Sequence, residues 1–101
     1  MELCRPLYLS DSVKKPEKLL KKLDKSRIPC RFYVITLSKG ADQLEIYPAY
    51  FLQQPFFRKY PPVIVGLAGD YQEAVDLILK ITEDSLAATG SCDLKAYLCS
   101  R

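Results

Sequence analysis

Pro61-Pro62-Val63-Ile64-Val65-Gly66-Leu67-Ala68-Gly69-Asp70 is the stretch whose reading decides the fold. The run from Val63 to Val65 is apolar, β-branched and bounded by proline and glycine, which predicts a buried strand rather than a piece of helix. Gly66 and Gly69 are read as the residues that let the chain turn. Asp70 then stands where an N-cap belongs, and Glu73 three residues on completes a capping-box spacing. A helix is therefore expected from Tyr71. Ala74, Leu77, Ile78 and Ile81 keep the 3.6-residue period, Val75, Leu79 and Leu86 widen the apolar stripe, and Gly90 supplies a left-handed stop after about Thr89.

Upstream, Phe32 to Leu37 is an unbroken apolar and β-branched run, the strongest strand in the chain, and should be central. Gln43-Leu44-Glu45-Ile46-Tyr47 alternates cleanly after a short loop around Gly40, so the two segments form an antiparallel hairpin with Leu44 and Ile46 turned inward. Leu3 to Leu9 alternates loosely, and Pro6 confines it to a sheet edge. A first helix is expected over residues 14–25, with Pro16 in its first turn and a narrow stripe of Leu19, Leu20 and Leu23. Ile28-Pro29-Cys30 reads as a linker. Leu94 to Cys99 is expected to be a final strand, Leu94, Ala96 and Leu98 facing one way and Lys95, Tyr97 and Cys99 the other.

Between the hairpin and the deciding stretch, Tyr47, Tyr50, Phe51, Phe56, Phe57 and Tyr60 crowd into a segment punctuated by Pro48, Pro55, Pro61 and Pro62. No long helix fits there. One or two short turns, helical around Tyr50 to Gln54, should pack over the sheet through their rings. The order is then β-α-β-β-(aromatic segment)-β-α-β in one domain over residues 1–101. It predicts an α+β sandwich of two layers, a mixed sheet of four to five strands with both helices on one face because strand-helix-strand crossovers are right-handed. This is an elaborated ferredoxin-like plan, shared by enzymes, nucleic-acid binders and regulatory domains, so architecture alone selects no function. The segments Asp42-Gln43-Leu44-Glu45-Ile46-Tyr47 and Val65-Gly66-Leu67-Ala68-Gly69-Asp70-Tyr71 resemble a small bacterial family of single-domain proteins without an assigned activity. The resemblance carries no functional residues over.

Composition narrows the classes. Apolar residues make up 49% and charged residues 27% of the 101-residue chain, which excludes a disordered or fibrous protein. No segment has the apolar length of a membrane span, and the N-terminus lacks a signal peptide's order, so a cytoplasmic protein without membrane contact is expected. Charge is polarised. Lys14, Lys15, Lys18, Lys21, Lys22, Lys25, Arg27 and Arg31 face only Glu17 and Asp24 within their stretch, so more than the chain's net +3 is concentrated there. Such a face attracts polyanions over long range. Lysine also simply keeps a helix wet, and because lysine rather than arginine dominates and no aromatic side chain interleaves, bidentate phosphate recognition and base stacking are both poorly served. Specific nucleic-acid binding is not expected.

For catalysis, the absence of histidine removes the side chain most often poised near neutral pH, and no nucleophile elbow, Walker loop or metal cluster appears. Gly66-Leu67-Ala68-Gly69 sits where a phosphate turn would, but its spacing is wrong and Asp70 and Glu73 would repel an anion. Asp76, Glu83 and Asp84 decorate the second helix as solubility requires. No catalytic residue, cofactor or metal site is therefore assigned. The leading expectation is a non-catalytic interaction or regulatory module, self-associating or binding a protein partner through Tyr50, Phe51, Phe56, Phe57 and Tyr60. The alternative is an electrostatic polyanion binder through Lys14, Lys15, Lys18, Lys21, Lys22 and Lys25, and an enzyme without a recognisable motif comes third. Exposure of the middle aromatics is the feature that favours the first.

Cys4, Cys30, Cys92 and Cys99 have neither Cys-x-x-Cys spacing nor a histidine to complete a zinc set. Thiol titration of the denatured protein without reductant should count all four, and a chelator should leave its melting temperature unchanged. Stoichiometric zinc in the purified protein would contradict this.

Overall fold

In the computed structural model, which describes residues 2–24, 31–38 and 43–100, the two most apolar runs of the sequence become the two inner strands of a four-stranded sheet. In chain order the elements are β1 (Glu2–Leu9), α1 (Pro16–Asp24), β2 (Tyr33–Leu37), β3 (Leu44–Pro48), a 3-10 turn (Ala49–Gln53), α2 (Pro55–Lys59), β4 (Val63–Ala68), α3 (Tyr71–Thr89) and α4 (Leu94–Ser100). The sheet order is β1-β4-β2-β3. β4 runs parallel to β1 and antiparallel to β2, and β2 and β3 form the expected antiparallel hairpin. The fold is thus α+β with a mixed sheet.

The inner strands are buried almost without a break, successive residues entering cores on opposite faces. Val34, Ile64 and Leu67 pack with Val13, Leu19, Leu20, Ala49, Leu52 and Phe57. Ile35, Val65 and Ala68 pack with Ala74, Leu77, Ile81, Leu94 and Leu98. A sheet apolar on both faces needs cover on both. α3 and α4 make the helical layer on one face, and α1, the 3-10 turn and α2 cover the other, so the two long helices do not share a face as expected. β2 runs antiparallel to β4, which is parallel to β1, so β1-α1-β2 is not a parallel crossover. The ferredoxin-like order is not reproduced, because the last strand it requires is helical.

That last segment is the clearest correction. Leu94 to Ser100 is α4, a helix, because Leu94, Tyr97 and Leu98 also satisfy an i, i+3, i+4 spacing and Asp93 caps the turn, its Oδ1 accepting from the Ala96 N–H at 3.1 Å. Leu94 and Leu98 are buried while Ala96 is exposed, as helical and not strand geometry dictates. The side-chain carbonyl of Gln43 accepts from the Leu94 N–H and ties the helix start to the hairpin. Gly66 is a second correction: the strand continues through it to Ala68 instead of turning. Its register with β2 shifts there, Ile35 opposing Gly66 and Thr36 opposing Ile64, which marks a bulge in β4. A Cβ on Gly66 would stand 3.0 Å from the Tyr8 carbonyl oxygen, so glycine serves close strand approach. α1 begins at Pro16, later than expected, and the predicted linker 28–30, Lys25, Cys30 and the loop 39–42 lie outside the described residues.

α3 starts and stops where its signals predict. Asp70 Oδ1 accepts from the Glu73 N–H at 2.8 Å, and Gly90 adopts φ 72°. The Glu73 carboxylate reaches one residue further back than a capping box, to the Gly69 N–H at 3.2 Å, and accepts the Ser12 hydroxyl at 2.6 Å. Gly69 N–H also meets Ser10 Oγ at 3.1 Å, and Ser10 N–H donates to the Leu67 carbonyl at 3.1 Å. A methyl on Gly69 would collide with Ser12 Oγ. The end of β1 is thereby knotted to the start of α3.

Hydrogen bonds from the Ser10 and Ser12 hydroxyls, with a further one from the Gly69 N–H, hold the Glu73 carboxyl below the usual carboxylate range. A depressed folded pKa contributes stability that is present above the unfolded value of about 4.3 and is lost as pH falls through the folded one. Melting temperatures of wild type and Glu73→Gln between pH 7 and 3 should therefore converge as pH falls. A constant gap across that range would show that the carboxylate contributes nothing through its charge.

Candidate interaction surface

Parallel strands cannot be joined by a tight turn. β3 and β4 are parallel with β2 between them, so residues 49–62 must cross β2 over one sheet face. The aromatic segment is this crossing. It is fastened at its start by the Ala49 N–H donating to the Phe32 carbonyl at 2.9 Å, with Ala49 and Leu52 fully or almost fully buried. Pro55 opens α2 in the first helical turn, and the Tyr60 N–H closes it on the Phe56 carbonyl at 2.9 Å before Pro61 and Pro62 lead into β4.

The rings form a continuous row across this segment. Tyr50 meets Phe51 at 5.1 Å between centroids, Phe51 meets Tyr47 at 6.3 Å, and Tyr47 meets Phe57 edge-on at 5.3 Å. Phe57 meets Phe56 edge-on at 5.3 Å, and Phe56 meets Tyr60 at 5.4 Å. Edge-to-face pairs at such separations add to plain burial. The middle of the row, Tyr47 and Phe57, packs on the core. Its two ends do not: Tyr50 is 53%, Phe56 63% and Tyr60 48% exposed. Of the five rings expected to meet a partner, Phe51 and Phe57 are half-buried and the other three face solvent. Lys59 Nζ stands 5.6 Å from the Tyr60 ring centroid, a cation on an aromatic face.

Beside the row is a cleft of about 210 Å³ lined by Thr36, Leu37, Glu45, Tyr47, Phe56, Phe57, Tyr60 and Pro62. Glu45 accepts from the Ser38 hydroxyl at 3.2 Å and from the Tyr47 phenol. That bond to Glu45, and then burial, pushes the Tyr47 phenol up to about 12, so it remains a neutral donor. Thr36 is directly opposite Glu45 in the hairpin register. It is 1% exposed, and its Oγ1 has no hydrogen-bond partner among the described residues. Neither Thr36 nor Glu45 stands out in sequence. The only signal available was that hairpin pairing puts a hydroxyl and a carboxylate side by side next to an aromatic crossing.

The other candidates are placed apart. Lys14, Lys15, Lys18 and Lys21 are exposed along and just before α1; Lys22 lies in the same helix. Asp76 and Glu83 are exposed on α3, as expected. Asp84 instead joins a polar cluster, accepting from Tyr8 at 2.7 Å and from Lys80 at 2.9 Å, with the Tyr8 and Tyr97 hydroxyls 3.1 Å apart. Burial first, then hydrogen bonding with Tyr97 and Asp84, raises the Tyr8 phenol, so this cluster fastens β1 to α3 and α4 rather than offering a base. Among the described residues no group of side chains has a metal-binding arrangement, and no helix is long and apolar enough to cross a membrane. Cys92 and Cys99 are exposed free thiols. No protein-family model, curated protein or solved structure matches the chain.

Proposed function

We propose that this chain is a non-catalytic interaction module that associates with a second copy of itself through the solvent-facing ends of the aromatic row. The observation that carries the reading is the exposure of Tyr50, Phe56 and Tyr60 in line with rings anchored in the core. Folding needs the crossing, but it does not need these three rings at its surface. A buried aromatic ring removes roughly 150–250 Å² from water, and at about 25 cal/mol per Å² two or three of them contribute several kcal/mol before the cost of association is subtracted. Their neighbours Phe51 and Phe57 hold the backbone beneath them, so little conformational freedom is lost on contact. A second reading, weak and sequence-blind attraction of polyanions, is supported by the exposure of Lys14, Lys15, Lys18 and Lys21.

Sedimentation velocity over a wide concentration range tests the first reading. Wild type should show a concentration-dependent shift towards a larger species, and Tyr50→Ser and Phe56→Ser should weaken it while changing monomer stability by no more than about 0.5 kcal/mol, as surface changes do. Phe57→Ser should instead cost more than either, up to about 3 kcal/mol, because that half-buried ring packs against the core. A strict monomer at high concentration would rule self-association out.

A further inference from the structure

We infer that the cleft between α2 and the β2-β3 hairpin binds a small organic ammonium ion, its charged head held by Thr36 and Glu45 and its body held among the rings. Thr36 carries the unmet polar group of this cleft. A hydroxyl 1% exposed and without a partner among the described residues is costly, since burying it forfeits its hydrogen bonds to water. It lines a cleft in which a ligand atom can supply the missing bond.

The chemistry of the walls selects the head group. Among the described residues Glu45 is the one charged side chain lining the cleft, and Thr36 and Glu45 are cross-strand partners on one face, which puts their Cβ atoms about 4.5–5.5 Å apart. One ammonium nitrogen with several N–H groups reaches both oxygens at that separation. Tyr47, Phe56, Phe57 and Tyr60 supply ring faces, whose quadrupoles attract cations, while Pro62 takes the hydrocarbon part. An anion is opposed by Glu45. A neutral alcohol can satisfy Thr36 but makes no use of the carboxylate among aromatic rings. Lys59, already over Tyr60, shows a cation on this aromatic wall without itself lining the cleft. The volume, about 210 Å³, is below the roughly 300–1,000 Å³ of pockets for drug-sized ligands, so the occupant is a fragment-sized amine or the end of a lysine side chain.

The site shares Phe56 and Tyr60 with the proposed self-association surface, but Tyr50 is absent from its lining and Thr36 is buried within one chain, so the two can be tested apart. Benzylammonium, its neutral counterpart benzyl alcohol, and an N-acetyl-lysine methylamide should each be titrated into the dilute protein while amide chemical shifts are followed by NMR. Saturable shifts at Thr36, Leu37 and Glu45 are expected with benzylammonium, with at least tenfold weaker binding of benzyl alcohol. Tighter binding of the lysine derivative than of benzylammonium would assign the same ammonium chemistry to a partner's lysine. Thr36→Val should raise the melting temperature of the free protein, by removing the unpartnered hydroxyl, and weaken benzylammonium at least tenfold; Thr36→Ser, which keeps the hydroxyl, should retain binding. Glu45→Gln should weaken benzylammonium and leave benzyl alcohol unaffected. Equal affinity for the amine and the alcohol, or undiminished amine binding by a folded Thr36→Val, would overturn the inference. Tyr50→Ser should leave amine binding intact even if it abolishes association.

Discussion

β3 and β4 run parallel with β2 between them, and the rest of the structure depends on how the chain crosses that gap. A crossing of this kind must lie over one sheet face and bury its inner side there. In this chain it is built from a 3-10 turn and a short helix, too small to present a broad aliphatic stripe. Ala49 and Leu52 seal the beginning, and rings do the remainder of the covering. Aromatic residues suit the task because each covers much area from a short backbone. The same economy has a consequence at the surface, where the row of rings continues past the core and ends in Tyr50 on one side and Phe56 and Tyr60 on the other. Core packing and the candidate site are therefore two parts of one row.

The opposite face is secured differently. α3 carries a long apolar stripe, and its start is held by a polar knot in which Ser10, Ser12, Gly69, Asp70 and Glu73 satisfy one another. This knot joins the edge strand β1 to the inner strand β4 beyond their backbone pairing, where Pro6 and the register shift between Leu3 and Tyr8 weaken regular pairing. The Tyr8–Asp84 bond repeats the device further along α3. Polar side chains thus fix the edge that the sheet alone holds poorly, while the hairpin edge is held by the crossing.

Legibility followed the range of the interactions. Local signals were readable: the caps at Asp70 and Gly90, the hairpin alternation and the place of Pro16 in the first turn of α1 all act over a few residues. Leu94 to Ser100 misled because Leu94 and Leu98 fit both a period of two and a period of four, and the cap at Asp93 decides between them. Gly66 misled because glycine serves close strand approach as readily as a turn, and only the position of Tyr8 shows which. Sheet order could not be read, since insertion of β4 between β1 and β2 is a long-range pairing without a local mark. The aromatic segment was legible as a surface candidate, whereas the cleft was not: Thr36 and Glu45 become a site only once rings from α2 are placed over the hairpin.

The division of one aromatic row into anchored and solvent-facing rings is measured most directly by the reactivity of the tyrosines. Limited nitration of the dilute protein, followed by peptide mass spectrometry, ranks every tyrosine in one experiment. Tyr50 and Tyr60, with the exposed Tyr71 on α3 as an internal standard, should react first, and Tyr47 should lag because it is packed on the core and its phenol is held neutral by Glu45. Nitration of Tyr47 as fast as Tyr50 and Tyr60, or protection of those two in the monomer to the level of Tyr47, would contradict the division on which both the fold and the proposed surface rest.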